Sequence, residues 1–150
     1  GQNAPNFELP DTQGRVRKLE DYKGKWLALY FYPRDMTSGC TTEACNLRDN
    51  NQELMKEGIE ILGVSRDNAE SHKKFSEKYS LPFPLLSDVN AEVSKKYGVY
   101  KMKNLYGNKS MGVVRTTFII SPESKIHDVI NKVDTEDHAW QILDSINKQA

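Results

Sequence analysis

The sequence predicts an α/β fold in which a central mixed β-sheet is flanked by helices. Apolar runs with the length of buried strands alternate with amphipathic helical patterns along most of the chain. The last two predicted strands follow one another directly, as in a hairpin, so the sheet is expected to contain both parallel and antiparallel neighbours. Because the 150 residues contain no repeat and no linker-like segment, we expect residues 1–150 to form one domain.

The first elements form a predicted hairpin followed by a buried strand. Residues 7–9 and 16–19 flank a turn at residues 11–14, a pattern that indicates two short antiparallel strands. Residues 26–32 form a continuous apolar run, typical of a strand buried on both faces, and Pro33 ends it. These two features predict an N-terminal β-hairpin that precedes the central sheet.

Helical and extended patterns then alternate to the end of the chain. We predict a helix over residues 40–57 that Gly58 terminates, and an amphipathic helix over residues 69–79. A final helix is expected to begin after a cap at Asp134 or Thr135. The remaining predictions are strands at residues 59–65, 85–86, 113–120 and 125–133, a short helix at 90–97 that Gly98 closes, and a long polar loop at 99–112.

Charge and composition exclude several classes of function. The chain carries 21 basic and 21 acidic residues and has no net charge, so it lacks the positive field of a nucleic-acid binder. No apolar run approaches the ~20 residues of a membrane helix. We therefore expect no nucleic-acid partner and no membrane association. The first residues do not resemble a signal peptide and only two cysteines are present, which predicts a cytoplasmic protein.

Cys40 is the strongest candidate for a reactive residue. It follows a predicted buried strand and stands at the start of a predicted helix, and the crevice beyond the carboxyl ends of strands is the usual site in α/β folds. The first turn of a helix has backbone N–H groups without intrahelical partners, and the helix dipole adds to their positive potential. Both effects favour the thiolate, which is the nucleophilic form of cysteine.

Three neighbours of Cys40 support this interpretation. The Thr37 hydroxyl can accept a hydrogen bond from the helix end and donate one to a thiolate. Pro33 fixes the exit from the strand and can shield the thiol from water, and Gly39 permits the close approach of a ligand. A lone cysteine here would more simply be inert and buried, but the combination of these residues with a second cysteine favours chemistry.

Cys45 lies five residues beyond Cys40. On an α-helix this spacing corresponds to ~7.5 Å of rise and about 140° of rotation, which places the Cα atoms roughly 8–9 Å apart. A disulfide needs less than ~7 Å, so the two cysteines can bond only if the helix unwinds. Residues 46–51 are polar and only modest helix formers, which lowers the cost of unwinding. Cys45 can equally be a small core residue, and both interpretations remain open.

These residues resemble the active site of a known family. The pattern Pro-x-x-x-Thr-x-x-Cys of the peroxiredoxins is matched by Pro33, Thr37 and Cys40. A second cysteine five residues later, matched by Cys45, is similar to the bacterioferritin comigratory protein, or peroxiredoxin Q, branch. Segments at residues 4–7, 21–25 and 115–120 extend the resemblance over nearly the whole chain. Ser38 departs from this branch, which often has proline there, and leaves the backbone before Cys40 less rigid.

The resemblance implies a fold and a reaction. The fold is thioredoxin-like with an N-terminal extension. The reaction is the reduction of hydrogen peroxide and alkyl hydroperoxides, with a sulfenic acid on Cys40 and then a disulfide with Cys45. Thioredoxin or a similar dithiol protein is the implied reductant, and no cofactor is implied. The resemblance to this branch also implies a monomer or a weak dimer.

The same resemblance implies that Arg115 is the active-site arginine and that Glu43 supports the site by hydrogen bonding. A permanent cation beside Cys40 would favour the thiolate and polarise a peroxide. The simpler alternative for Arg115 is a surface ion pair with a carboxylate. For Glu43 the alternative is an acidic residue in the first helical turn, where it complements the helix dipole.

Other functions fit the sequence less well. The Cys-x-x-Cys motif of thiol-disulfide oxidoreductases is absent, and His72, His127 and His138 show no spacing to the cysteines that indicates a metal site. We therefore expect no bound metal. A redox sensor that uses the same thiol is the second class, and no appended domain or basic arm favours it. Four residues in or near the predicted loop can line an apolar substrate pocket or pack the loop down: Tyr100, Met102, Tyr106 and Met111.

Overall fold

The computed structural model describes residues 2–105 and 107–147. Nine strands occur in this part of the chain: β1 (Glu8–Pro10), β2 (Val16–Lys18), β3 (Trp26–Phe31), β4 (Ile59–Ser65), β5 (Leu85–Ser87), β6 (Tyr100–Leu105), β7 (Asn108–Val113), β8 (Thr116–Ile120) and β9 (Ile126–Ile130). The helices of the described residues are α1 (Ser38–Asp49), α2 (Asn51–Lys56), α3 (Ala69–Tyr79), α4 (Glu92–Lys96) and α5 (His138–Asn147). A short 3₁₀ helix at Leu19–Tyr22 follows β2.

A five-stranded mixed sheet forms the centre of the fold, with the strand order β5-β4-β3-β8-β9. The pairs β3–β4 and β4–β5 are parallel, and β8 runs antiparallel to both β3 and β9. This arrangement confirms the predicted mixed sheet flanked by helices. The predicted N-terminal hairpin is also confirmed, because β1 and β2 pair in antiparallel register.

Strand β3 separates two hydrophobic clusters because side chains alternate between the faces of a sheet. Leu27, Leu29 and Phe31 belong to the cluster that also contains residues of the N-terminal hairpin and of α4. Tyr30 and its neighbours on the other face pack with residues of α1, α3 and α5, including Cys40. The buried side of α1 therefore lies on the sheet, and this packing positions the cysteine.

The prediction of a long polar loop at residues 99–112 is wrong. This segment forms the antiparallel hairpin of β6 and β7, paired from Tyr100↔Val113 to Leu105↔Asn108. The two strands pair with each other outside the central sheet, and β7 is exposed from Asn108 to Met111. Because β7 has no buried side chain from Asn108 to Met111, it lacks the apolar alternation that identifies a strand. The strand predicted at 113–120 is accordingly divided, because β7 ends at Val113 and β8 begins at Thr116.

The helix predicted over residues 40–57 is two helices that meet at Asn50. This residue leaves helical geometry, with φ −110° and ψ 7°, and its side-chain amide donates to the Asn46 carbonyl at 2.8 Å. Asparagine commonly competes for backbone hydrogen bonds in this way. Gly58 lies beyond the end of α2 with φ +75°, as expected for the glycine after a helix.

Smaller differences occur at other helix ends. The final helix begins at His138 rather than directly after Asp134 or Thr135, since the Asp134 carboxylate accepts from the Glu136 N–H within a preceding turn. The helix predicted at 90–97 is the shorter α4, whereas α3 and β4 have the predicted bounds. No helix among residues 2–105 and 107–147 has the length and hydropathy needed to span a membrane.

Candidate active site

Cys40 is the third residue of α1, at the junction that follows β3. Thr37 is the N-cap of this helix. Cys40 is buried, with only 1% of the residue exposed. Cys40 and Cys45 are both free thiols, so the structure represents the reduced protein. The predicted position of Cys40, in the first turn of a helix that follows a buried strand, is confirmed.

The guanidinium group of Arg115 joins Cys40 to Glu43. Its Nη2 lies 3.3 Å from the Cys40 Sγ, and its Nη1 lies 2.6 Å from the Glu43 Oε1. Arg115 reaches this position because it directly precedes β8, where Thr116 pairs with Phe31 at the end of β3. Burial disfavours the charge of Arg115, but the adjacent Glu43 and Cys40 outweigh burial and raise its pKa. The surface ion pair considered from the sequence is therefore excluded.

Glu43 is a fully buried acid with one unsatisfied oxygen. Burial raises its pKa from 4.5 to about 7, although Arg115 acts in the opposite direction. The Oε2 atom has no hydrogen-bond partner among the described residues, and the His138 Nε2 lies 3.6 Å away. Glu43 is thus more than a surface acid that complements the helix dipole.

His138 is held in a single tautomer beside Glu43. The Gln141 Nε2 donates to the Lys132 carbonyl, so the Gln141 Oε1 faces the His138 Nδ1 at 2.8 Å and the proton lies on Nδ1. The Nε2 then accepts from the Thr117 hydroxyl at 2.7 Å. Burial lowers the pKa of His138, which agrees with a neutral ring.

Gly39 makes room for Arg115. A Cβ atom at this position would lie 3.1 Å from the Arg115 Nη2, a contact tighter than almost all real Cβ contacts. The sequence predicts that a ligand approaches Gly39 closely. In the structure the group that approaches it is the Arg115 guanidinium.

Thr37 does not make the predicted hydrogen bond to the helix end. It occupies the N-cap position, but its hydroxyl donates to the Arg34 carbonyl at 3.0 Å instead. Met36, with φ +68°, turns the backbone between them and brings the carbonyl within reach. In this state the Thr37 oxygen can accept a further hydrogen bond but has no second proton to donate.

A buried polar network before α1 has no counterpart in the sequence predictions. Asp35 accepts from the Tyr32 hydroxyl at 2.6 Å and from the Ser71 hydroxyl at 2.8 Å, and its Oδ2 lies 2.7 Å from the His72 Nδ1. The His72 Nε2 donates to the Leu86 carbonyl at 2.9 Å. Asp35 and His72 are 37 residues apart and belong to no shared motif, so only the fold reveals their contact.

This network includes the one metal-like grouping of acids and histidine in the described part of the chain. Ligand atoms of Asp35, Asp67 and His72 all lie within 4.8 Å of one another. Asp67 already accepts from the Asp35 N–H at 2.8 Å and from the Ser65 hydroxyl at 2.7 Å. Since protein donors satisfy these atoms, the grouping is explained as a hydrogen-bond network.

A cavity of about 420 Å³ lies beside the junction. Pro33 and Thr37 line one side, and the hairpin contributes Lys103 and Met111. Burial lowers the pKa of Lys103, and the charge of Arg115 lowers it further. A larger cavity of about 520 Å³ is lined by N-terminal residues and β9 and includes none of the predicted site residues.

Of the three described residues that could wall an apolar pocket, only Met111 lines this cavity. Met102 is 61% exposed, and Tyr100 packs against the core with the Arg66 guanidinium 5.1 Å from its ring centre. Tyr106 lies outside the described residues.

Cys45 lies on the same continuous helix as Cys40. It is half-buried, and α1 extends from Ser38 to Asp49 without interruption. The helical geometry therefore keeps the two Cα atoms roughly 8–9 Å apart in the reduced protein, too far for a disulfide.

Comparisons with known proteins show the family to which this chain belongs. The model of the AhpC/TSA family matches residues 1–129. Peroxiredoxin Bcp of Bacillus subtilis is 44% identical over 146 residues, covering 97% of this chain and 93% of its own. Peroxiredoxin Bcp of Escherichia coli is 40% identical over 150 residues, covering 100% of this chain and 96% of its own.

Solved structures show the same similarity. A cysteine-to-serine variant of Xylella fastidiosa PrxQ superposes with a TM-score of 0.91 at 33% identity, covering 97% of this chain and 93% of its own. A structure of the Xanthomonas campestris bacterioferritin comigratory protein, described in terms of its alkyl peroxide reduction activity, has a TM-score of 0.88 at 38% identity. It covers 93% of this chain and 89% of its own. These similarities confirm the thioredoxin-like fold implied by the resemblance.

Proposed function

As a member of the AhpC/TSA family and a peroxiredoxin of the Bcp and PrxQ branch, this chain is a thiol peroxidase, and we propose that Cys40 is its nucleophile. The observation that carries the proposal is the 3.3 Å contact between the Arg115 guanidinium and the Cys40 Sγ. A permanent cation and the N-terminal turn of α1 both favour the thiolate. We further propose that residues 1–150 act as a single domain.

In the first step the Cys40 thiolate attacks one oxygen of the hydroperoxide. The S–O bond forms as the O–O bond breaks, so the sulfur is oxidised to a sulfenic acid and the peroxide is reduced. The leaving oxygen takes up a proton and departs as water or an alcohol. Arg115 stabilises the negative charge that develops on this oxygen.

The surrounding residues orient the peroxide and the arginine. The Thr37 oxygen, whose own proton is used by the Arg34 carbonyl, accepts the hydrogen bond of the peroxide O–H. Pro33 lines the cavity beside this junction, and Gly39 leaves the space that the guanidinium occupies. Glu43 fixes the other edge of Arg115 by its hydrogen bond at 2.6 Å.

In the second step the Cys45 thiol attacks the sulfenic sulfur. A disulfide forms, the hydroxyl group leaves as water, and α1 unwinds so that the two sulfur atoms can meet. A dithiol protein such as thioredoxin then reduces the disulfide by exchange, which restores both thiols and transfers the oxidation to the reductant. No cofactor is needed for this balance. We propose that the chain acts in the cytoplasm as a monomer or weak dimer.

Both hydrogen peroxide and alkyl hydroperoxides are proposed substrates. The cavity beside Pro33 and Thr37 has a volume of about 420 Å³, within the range of about 300–1,000 Å³ that small-molecule sites occupy. An organic substituent therefore has space beside Pro33 and Thr37, the residues that precede Cys40. The Xanthomonas campestris relative is described as reducing alkyl peroxides, which supports this range.

A steady-state peroxidase assay with thioredoxin, comparing hydrogen peroxide with an organic hydroperoxide, tests the proposal. Cys40→Ser should abolish peroxide consumption, because the attacking atom is lost. Cys45→Ser should consume one equivalent of peroxide and stop as a sulfenic acid or a mixed disulfide. Mass spectrometry after one equivalent of peroxide reads both outcomes. Turnover of the Cys40→Ser variant near the wild-type rate would overturn the mechanism, and a single oxidation of the wild type without turnover would indicate a sensor.

A further inference from the structure

We propose that Asn46 is a latch that holds α1 closed against α5 and sets the rate at which the Cys40–Cys45 disulfide forms. The latch consists of two hydrogen bonds between the Asn46 side chain and the backbone that begins α5. This inference rests on the proposed function, because it concerns the step in which Cys45 reaches Cys40. Asn46 acts through the position of Cys45 and is therefore a positioning residue.

The latch has the geometry of a helix cap supplied by a distant residue. The Asn46 Oδ1 accepts from the Ala139 N–H at 2.8 Å, and its Nδ2 donates to the Glu136 carbonyl at 2.9 Å. The first N–H groups of a helix have no intrahelical partner, and an asparagine oxygen satisfies them well. Here the asparagine belongs to α1, 93 residues from Ala139, so the two helices share one hydrogen-bonded junction.

The latch restrains the half of α1 that has to move. Asn46 directly follows Cys45, and the Cα atoms of adjacent residues are 3.8 Å apart, so Cys45 cannot shift by several ångström while both hydrogen bonds of Asn46 persist. Burial holds the inner face of α1 along its length, since Cys40, Glu43, Ala44 and Leu47 are at most 1% exposed. Any movement of Cys45 toward Cys40 has to break the latch as well, and the latch resists it.

Release of the latch couples the oxidation of Cys40 to a structural change at the start of α5. The Ala139 N–H and the Glu136 carbonyl lose their partner, which loosens the first turn of that helix. His138 lies in this turn and contacts Thr117 of β8, beside Glu43. Trp140 is in the same turn and is 59% exposed, so its fluorescence reports the change.

The first test measures the resolving step. The wild type and Asn46→Ala are mixed with one equivalent of hydrogen peroxide, quenched with acid at intervals, and analysed by mass spectrometry for the disulfide. Because Asn46→Ala loses two hydrogen bonds that water only partly replaces, we expect roughly tenfold faster disulfide formation in this variant. Asn51→Ala is the matched control, because the Asn51 side chain bonds to Met55 within α2, and it should react like the wild type.

The second test measures hydrogen exchange in the wild type, and this measurement requires no substitution. In the disulfide form of the wild type, the Ala139 amide should exchange on the order of tenfold faster than in the reduced form. A Trp26→Phe background isolates Trp140 fluorescence, which should change on oxidation in step with disulfide formation.

The outcomes separate this inference from the proposed function. Absence of a Cys40–Cys45 disulfide in the peroxide-treated wild type would overturn the proposed function and the latch together. A disulfide that forms at the same rate in Asn46→Ala and wild type would overturn the latch alone. Unchanged exchange at Ala139 in the oxidised wild type would show that Cys40 moves while Asn46 stays in place, and would also overturn the latch.

Discussion

Two buried carboxylate–histidine pairs lie on either side of the cysteine. Asp35 lies in the segment before α1 and contacts His72 of α3. Glu43 lies within α1 and faces His138 of α5. All four side chains are almost inaccessible to water, with at most 5% of each residue exposed. The pairs differ in how completely their hydrogen bonds are satisfied, and this difference indicates what each does for Cys40.

The pair before the helix is closed. Both Asp35 oxygens have donors, and the two nitrogens of His72 face an acceptor each, the Asp35 carboxyl and the Leu86 carbonyl. One proton must therefore lie between Asp35 and His72. A fully satisfied buried network stabilises a single backbone arrangement. It holds the turn that contains Thr37 and precedes Cys40.

The pair within the helix is open. The Glu43 Oε2 has no hydrogen-bond partner among the described residues, and the nearest nitrogen of His138 presents a lone pair because Gln141 fixes the tautomer. Burial without full satisfaction is what raises the pKa of Glu43 to about 7. The open pair thus places an acid that titrates near neutral pH against Arg115, whereas the closed pair provides rigidity.

Removing the histidine of the closed pair should have the largest effect. His72→Ala leaves the buried Asp35 without its strongest partner, and loss of one member of a buried pair typically costs about 3–5 kcal/mol. We expect the free energy of unfolding, measured by urea denaturation, to fall by about 4 kcal/mol. A loss below about 1 kcal/mol would show that the network does not depend on His72.

The open pair should make the free energy of unfolding depend on pH, with an effect smaller than that of His72→Ala. The Glu43 pKa is 4.5 when unfolded and about 7 when folded, so protonation favours the native state. Its contribution is present below pH 4.5 and is lost as the pH rises to about 7, a change of about 3 kcal/mol.

Glu43→Gln is the matched variant for this prediction, because the glutamine oxygen can still accept from Arg115 but cannot ionise. Urea denaturation at roughly pH 4.5 and pH 7.5 should show the loss in the wild type and not in the variant. The lowered pKa of His138 acts in the opposite direction, since its stabilisation is lost as the pH falls below 6.5, and it is common to both proteins. If the free energy of unfolding depended on pH equally in the two proteins, Glu43 would not be the source of the pH dependence.

A third substitution removes a half-buried donor from the closed pair. Ser71→Ala deletes the hydroxyl that donates to the Asp35 Oδ2 at 2.8 Å. It keeps the backbone N–H of residue 71, which donates to the Oδ1 of the N-cap residue Asn68. Water can replace a half-buried hydroxyl, so we expect a loss of only about 1 kcal/mol in urea denaturation. A loss as large as that of His72→Ala would mean that the network fails as a unit.

The sequence was sufficient for the parts of the site that depend on local pattern. Cys40 could be placed in a helical first turn because a buried strand, a proline and a helix start are visible in consecutive residues. The bounds of α3 and β4 follow from strong periodicity for the same reason. Arg115 was identified by resemblance, and its contact with Cys40 depends on the pairing of β8 with β3.

The parts that could not be predicted depend on contacts between distant segments. His72 and His138 looked like ordinary polar residues, because their partners Asp35 and Glu43 are far away in the sequence. The β6–β7 hairpin is not visible in the sequence, because the side chains of β7 are mostly exposed and show no apolar alternation. Thr37 looked like a cap, but the left-handed backbone of Met36 offered it a nearer acceptor.

The break at Asn50 divides α1, which the proposed disulfide step has to unwind, from the helix that follows it. Because α1 and α2 are separate helices, α2 has its own hydrogen bonds and its own buried residue, Leu54. A single helix through this region would couple the two segments, since helix formation is cooperative. The interruption therefore marks a boundary between cooperative units: in the proposed step the segment before it unfolds and refolds, while the segment after it stays native.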